Sequence, residues 1–233
     1  MGFIFALLLL PQVINFLLAL IPAMILLNYF YKRDPRPEPR QIVMKTFFLG
    51  IAATVPAVII ELLIEKLAPG GMSPIITIAF KAFIVVALVE ESCKLYMVKR
   101  YIYPHPEFDE VTDGIIYTMA AALGFAFLEN ILYSMNSGNS WTILLTRGIT
   151  AVPLHGLTSA VMGFYIGKTK LNGKNLIPFG LFLAVLYHGL YDFFLFYGGL
   201  LSWLSIPLLI ILFFHAKHIL HNAIDEDKKF FRS

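Results

Sequence analysis

The sequence predicts an all-α fold: a polytopic α-helical integral membrane protein with about seven transmembrane helices. Three observations predict it. Of the 233 residues 58% are hydrophobic and 14% charged, with a mean hydropathy of +0.76, where an average soluble domain is roughly 25% charged. Several apolar runs reach or exceed the roughly 20 residues that a helix needs to cross the hydrocarbon core of a bilayer. The connections between them are short, and they alternate between basic and uncharged. No segment is left over for a soluble domain, so residues 1–233 read as one membrane domain. The net charge of +3 is concentrated in loops, which makes it a topology signal and not a nucleic-acid footprint.

Apolar runs with turn residues between them place the spans at 3–31, 43–64, 75–97, 113–135, 141–166, 177–197 and 200–216. The first lacks a basic stretch ahead of it and is too long for a signal peptide, so it reads as a retained span. Three prolines, Pro35, Pro37 and Pro39, forbid helix between the first two spans. Four basic residues gather there, Lys32, Arg33, Arg36 and Arg40. Lys99 and Arg100, then Lys168, Lys170 and Lys174, then Lys217, Lys228, Lys229 and Arg232 fall at alternate connections. The intervening connections at 68–73, 136–140 and 198–199 are small and uncharged. The positive-inside rule then puts the N-terminus outside and the C-terminus in the cytoplasm. Asp113 reads as the N-cap of the fourth span. Cys93 is the single cysteine, so no disulfide forms within the chain.

Charged side chains deep in a bilayer cost several kcal/mol and mark function. Here they are Glu90, Glu91, Lys94, Glu129, His155, His188 and Asp192, with Lys81 and Arg147 nearer the outer side. Glu90 and Glu91 stand four and three residues before Lys94, so one lysine neutralises either carboxylate and leaves the other available. His188 and Asp192 are four apart on one helix face, where the aspartate accepts from one ring nitrogen and frees the other. Glu129 is followed by Asn130, and His155 follows Pro153, which frees a carbonyl and kinks the fifth span. Any one of these has a structural explanation, but on four spans they are read as a convergent site. Helical rise puts His155 and His188 near mid-bilayer, Glu90 and Glu91 toward the cytoplasmic half and Glu129 toward the outer half. Glu61 and Glu65 read as interfacial, while Lys81 and Arg147 either snorkel outward or pair with a carboxylate.

The order Glu-Glu-x-x-Lys (Glu90, Glu91, Lys94), Phe-x-x-x-Glu-Asn (Phe125, Glu129, Asn130), a lone His155 and His-x-x-x-Asp (His188, Asp192) resembles the PrsW family. That is a family of bacterial intramembrane proteases related to the type II CAAX prenyl endopeptidases. The resemblance runs from about Tyr31 to Gly167 and again through Asp192. It implies site-1 cleavage of a single-span anti-sigma factor on its extracytoplasmic side, starting a cascade that frees a sigma factor under envelope stress, in a bacterial cell membrane. The CAAX relatives carry histidine where Glu129 stands and commonly asparagine where Asp192 stands, a departure that argues against prenylated substrates.

No Gly-x-Ser-x-Gly is present and Asp192 is the only aspartate deep in a span, so a water nucleophile is expected. Glu90 is cast as its general base, with Glu91 and Glu129 orienting the water or binding a metal, and His155 and His188 polarising the carbonyl. Lys94, Asn130 and Asp192 support them. A zinc ion on Glu129, His155 and His188 and metal-free glutamate catalysis both stay open, since two histidines and a carboxylate suit zinc but His-Glu-x-x-His is absent. No organic cofactor is expected. The partners expected are a membrane-embedded substrate and the lipid bilayer. A proton-coupled transporter, a non-catalytic scaffold and a CAAX-type endopeptidase are the rival readings.

Overall fold

The computed structural model describes residues 2–136 and 140–230. Among them six helices are long and apolar enough to cross a membrane. They correspond to α1 (Gly2–Tyr31), α2 (Arg40–Leu67), α5 (Val111–Met135), α6 with α7 (Ser140–Ile149 and Ala151–Asn172), α8 (Ile177–Tyr197) and the helix ending in α9 (Ser205–Phe230). The span expected at 75–97 is present as a continuous helical run in three pieces: α3 (Pro74–Phe80), a π-helical stretch Lys81–Leu88 and α4 (Val89–Tyr101). Seven helical passages result, and no strand occurs among the described residues. The uncharged connection at 136–140 lies partly outside the described residues, as does Arg232.

Local chemistry accounts for where the expected boundaries moved. Pro153 cannot donate to the carbonyl of Ile149, and the helix breaks at Thr150 between α6 and α7. The break therefore precedes the proline by three residues. Asp113 is not the N-cap of α5. The helix starts earlier, with Glu110 as cap and Asp113 as its third residue, and the two close a capping box in which Asp113 Oδ2 accepts the Glu110 N–H at 2.6 Å. The last helix runs well past residue 216, because Ala216, Ile219, Leu220, Ala223 and Asp227 form a buried stripe at helical spacing.

The bundle is built around α5, which is buried on nearly all sides. Small residues let its neighbours approach. A Cβ on Gly50 of α2 would stand 1.8 Å from the Ala121 carbonyl oxygen, and one on Gly124 would stand 1.9 Å from that of Phe47, so α2 and α5 touch backbone to backbone. Gly114 and Gly163 meet in the same way between α5 and α7. Gly189 of α8 lies against the ring of Phe83 in the π-helical stretch, which seats His188 beside the start of α4. The connection 102–110 docks on the basic end: Lys170 Nζ donates to the carbonyls of Tyr103 and His105, at 2.5 and 3.1 Å, and Phe108 is buried.

Candidate active site

The π-helical stretch ends at Leu88, two residues before Glu90, and such stretches are frequent at functional sites. Glu90, Glu91 and Lys94 all point into the bundle, and Lys94 and Glu91 are fully buried. Lys94 Nζ donates to Glu91 Oε1 at 2.9 Å and to Glu90 Oε2 at 3.2 Å. Its third contact is His155 Nδ1 of α7 at 3.0 Å. An ammonium has no lone pair, so Nδ1 accepts and the imidazole proton sits on Nε2. That proton is donated to Glu129 Oε2 of α5 at 2.8 Å. Glu129 Oε2 is also 2.7 Å from the Arg147 guanidinium, whose Nε donates to Asn130 Oδ1 at 2.6 Å.

His188 of α8 closes the cluster from the other side. Its Nδ1–H donates to Glu91 Oε1 at 2.9 Å, and Ser159 donates to Glu91 Oε2 at 3.3 Å. Glu91 is thus the residue that holds the His188 ring, where sequence reasoning gave that task to Asp192. With the ring neutral, Nε2 carries a lone pair, and it faces Asp192 Oδ2 at 3.4 Å and Glu90 Oε2 at 3.9 Å. Asp192 Oδ2 is buried and receives no hydrogen bond. The two imidazoles stand edge to face with centroids 4.9 Å apart.

All eight residues singled out in the sequence lie in this one cluster, and the depths expected from helical rise do not separate them. The π-helical stretch before Glu90 and the break at Thr150 before His155 both change the axial position that an ideal helix would give. Lys81 and Arg147 each pair with a carboxylate, Lys81 with Glu65 at 2.5 Å. Sequence reasoning passed over Ser159 and gave Glu61 no part in the site. Glu61 is half-buried with one oxygen lacking a hydrogen-bond partner. The signal was present: Ala53, Ala57 and Glu61 repeat every four residues along the buried face of α2.

A cavity of about 200 Å³ adjoins the cluster, and Glu129, Tyr133, Arg147, His155, His188 and Asp192 line it. It lies toward the end of the bundle away from the basic loops. The donor set suits a metal ion. Glu90, His155 and His188 each offer one ligand atom within 4.8 Å of the other two. With the His188 ring neutral, Glu90 Oε2, Asp192 Oδ2 and the Nε2 lone pair converge, and Lys94 Nζ, 3.2 Å from Glu90 Oε2, is the one donor to them within hydrogen-bond distance among the described residues, an arrangement that a cation satisfies. The carboxylate of this set is Glu90, whereas Glu129 spends its Oε2 on His155 and Arg147.

Comparison with known proteins gives the family. The model of the PrsW family of intramembrane metalloproteases matches residues 38–216. The protease PrsW of Bacillus subtilis is 35% identical over 198 residues, covering 82% of this chain and 87% of the relative. That of Geobacillus kaustophilus is 38% identical over 184 residues, 75% and 76% of the two chains. That of Clostridioides difficile is 34% identical over 189 residues, 77% and 78%. No solved structure matches. Buried glutamates and histidines around a cavity in a helical membrane bundle, and a family match across most of the chain, lead to one conclusion: this chain belongs to the PrsW family and is an intramembrane protease.

Proposed function

We propose that the chain, as a single protease domain over 1–233, is a zinc-dependent endopeptidase that makes the site-1 cut in a single-span anti-sigma factor of a bacterial cell membrane. That cut starts the cascade that frees a sigma factor under envelope stress. The observation that carries the metal assignment is the approach of Glu90, His155 and His188 to within 4.8 Å of one another beside a cavity. These three residues would hold the ion, which when bound polarises the scissile carbonyl and lowers the pKa of a water. Lys94 keeps Glu91 as its partner when Glu90 and His155 are so engaged. Glu91, in turn, fixes the His188 ring through Nδ1, the kind of outer support that metal-binding histidines require.

Glu129 is the carboxylate of the catalytic set that lines the cavity. It takes the proton of the attacking water at Oε1 and returns it to the departing amine, a task that a histidine at this position in the CAAX relatives is equally able to perform, while Oε2 stays bonded to His155. Arg147, 2.7 Å from that oxygen, balances the charge of Glu129 and donates to the developing oxyanion. Asp192 accepts from the substrate or water at the His188 face. Glu90, cast as the base on sequence grounds, is in this reading a holder of the ion. The positive-inside rule, applied to the basic loops, supports a cavity in the outer half of the bilayer and an N-terminus outside, which fits a cut near the extracytoplasmic surface of the substrate.

The test is reconstitution of the full chain in vesicles with an anti-sigma factor, following cleavage and zinc content together for wild type, Glu90→Gln and Glu129→Gln. Wild type is expected to cleave and to carry about one zinc ion, with loss of both on chelation and recovery on adding zinc back. Glu90→Gln should lose zinc and cleavage, and Glu129→Gln cleavage alone. Zinc retained in an inactive Glu90→Gln protein returns the base to Glu90. Cleavage indifferent to chelation removes the metal. A wild type that cleaves other single-span proteins and spares the anti-sigma factor removes the substrate assignment.

A further inference from the structure

At the basic end of the bundle, about as far from the cavity as the helices allow, three more carboxylates meet. Asp34 and Glu38 come from the loop between α1 and α2, and Asp113 from the first turn of α5. All three are buried, at 4%, 5% and 0% exposure, and each offers an oxygen within 4.8 Å of the other two. Part of their bonding capacity is spoken for. Asp34 Oδ1 accepts the Arg36 N–H at 2.9 Å, Asp113 Oδ2 accepts the N–H groups of Asp109 and Glu110, and Glu38 Oε2 accepts the Tyr117 hydroxyl. What is left over is Asp34 Oδ2 and Asp113 Oδ1, both buried and both without a hydrogen-bond donor.

Two orphaned carboxylate oxygens beside a third carboxylate are costly. Buried acceptors without partners lose their hydration, and like charges at this separation cannot all be ionised unless a cation joins them. The guanidinium of Arg36 is directed to Glu110, at 2.7 Å, and Asp109, at 3.9 Å. The donors are all oxygen, which selects hard cations over zinc. A cavity of about 430 Å³ is lined by Pro35, Arg36, Glu110, Thr112 and Asp227, among them the sequence neighbours of Asp34 and Asp113.

We propose that Asp34, Glu38 and Asp113 form a binding site for a hard divalent cation, magnesium or calcium, separate from the protease centre. The ion fastens the first interhelical loop to the start of α5. The same turn of α5 is tied to α9, since Asp227 accepts the N–H groups of Val111 and Thr112 at 2.7 and 3.0 Å. Occupancy of the site therefore sets how firmly α1, α2, α5 and α9 are joined at this end.

Manganese serves as the spectroscopic probe, because it shares the oxygen preference and is paramagnetic. Its binding to the detergent-purified full chain is followed by electron paramagnetic resonance for wild type, Asp34→Asn, Asp113→Asn and Glu90→Gln, with magnesium and calcium as separate competitors. Wild type and Glu90→Gln should bind one manganese that magnesium or calcium displaces, and Asp34→Asn should bind it at least about tenfold more weakly. The melting temperature of wild type should rise saturably with the competing ion, and that of Asp34→Asn should not. Asp34 lies in a loop and its substitution spares the capping box, so this variant decides the matter if Asp113→Asn fails to fold. No manganese bound by folded wild type, or equal binding by Asp34→Asn, overturns the site and leaves carboxyls that share protons.

Discussion

Lys94 is a single ammonium surrounded by two carboxylates and an imidazole lone pair, and its replacement by methionine is the sharpest stability test of the cluster. Methionine keeps most of the apolar stem and its contact with the Phe125 ring, over which Nζ now sits at 4.3 Å. The charge alone is lost. At an effective dielectric of about 20, each of the contacts at 2.9 and 3.2 Å is worth roughly 5 kcal/mol before desolvation is subtracted. Removing one partner of a buried pair costs about 3–5 kcal/mol, because the other charge is left uncompensated. Glu91 retains the His188 and Ser159 donors, whereas Glu90 loses its one donor within hydrogen-bond distance among the described residues. The penalty should therefore lie mainly with Glu90.

That localisation makes the prediction refutable. In chelator-treated protein, unfolding by a denaturing detergent should show Lys94→Met destabilised by about 3–5 kcal/mol, and Lys94→Met with Glu90→Gln recovering roughly half of it. A Lys94→Met protein within about 0.5 kcal/mol of wild type would refute the ion-pair account. So would strict additivity of the two substitutions, since residues in contact must couple.

Other perturbations follow from the same contacts. Gly50→Val should part α2 from α5 and cost about 1–3 kcal/mol by overpacking, read as a lower melting temperature in detergent, because its Cβ has only 1.8 Å to the Ala121 oxygen. Asp227→Ala leaves two backbone N–H groups and the Thr112 hydroxyl without an acceptor, about 1–3 kcal/mol for each group that stays buried. Hydrogen exchange at residues 111 and 112 should accelerate markedly. Arg147→Gln should slow cleavage by about 10²-fold or more with zinc content unchanged, since it removes the guanidinium from Glu129 without touching the three residues that would hold the ion. Loss of zinc in that variant would show that Arg147 supports the metal-binding geometry instead.

The fold was legible because the bilayer enforces a simple rule: backbone polar groups must be satisfied within each span, so long apolar runs become helices. Prolines 35, 37 and 39 interrupted helix as expected, and the apolar runs correspond to the helical passages. What could not be read was local. Whether the helix before Glu90 winds as α or π depends on packing against Phe83 and Gly189, contacts that join residues more than a hundred positions apart. The start of α5 was misjudged because Asp113 is a plausible cap by composition, and only the reciprocal bond from Glu110 decides it. The far end of α9 carries too many charges to resemble a span, and its buried stripe faces protein and not lipid.

The site was legible as a set of residues and not as a network, and the difference is instructive. A charge in a membrane announces itself singly, but its cost is met only collectively: Glu91 accepts from Lys94, His188 and Ser159, His155 links Lys94 to Glu129, and Arg147 links Glu129 to Asn130. The partners lie on α4, α5, α6, α7 and α8, so none of these bonds exists until the helices have packed. A residue that carries no charge, such as Ser159, enters the network without any sign in the sequence that it belongs to it. Glu90 Oε2 and Asp192 Oδ2 are the exceptions: both face the His188 lone pair, one with a single donor and the other with none. In a cluster otherwise so thoroughly paired, the place where pairing is incomplete is where a ligand has to come, and that is why the chemistry is assigned to this face of His188.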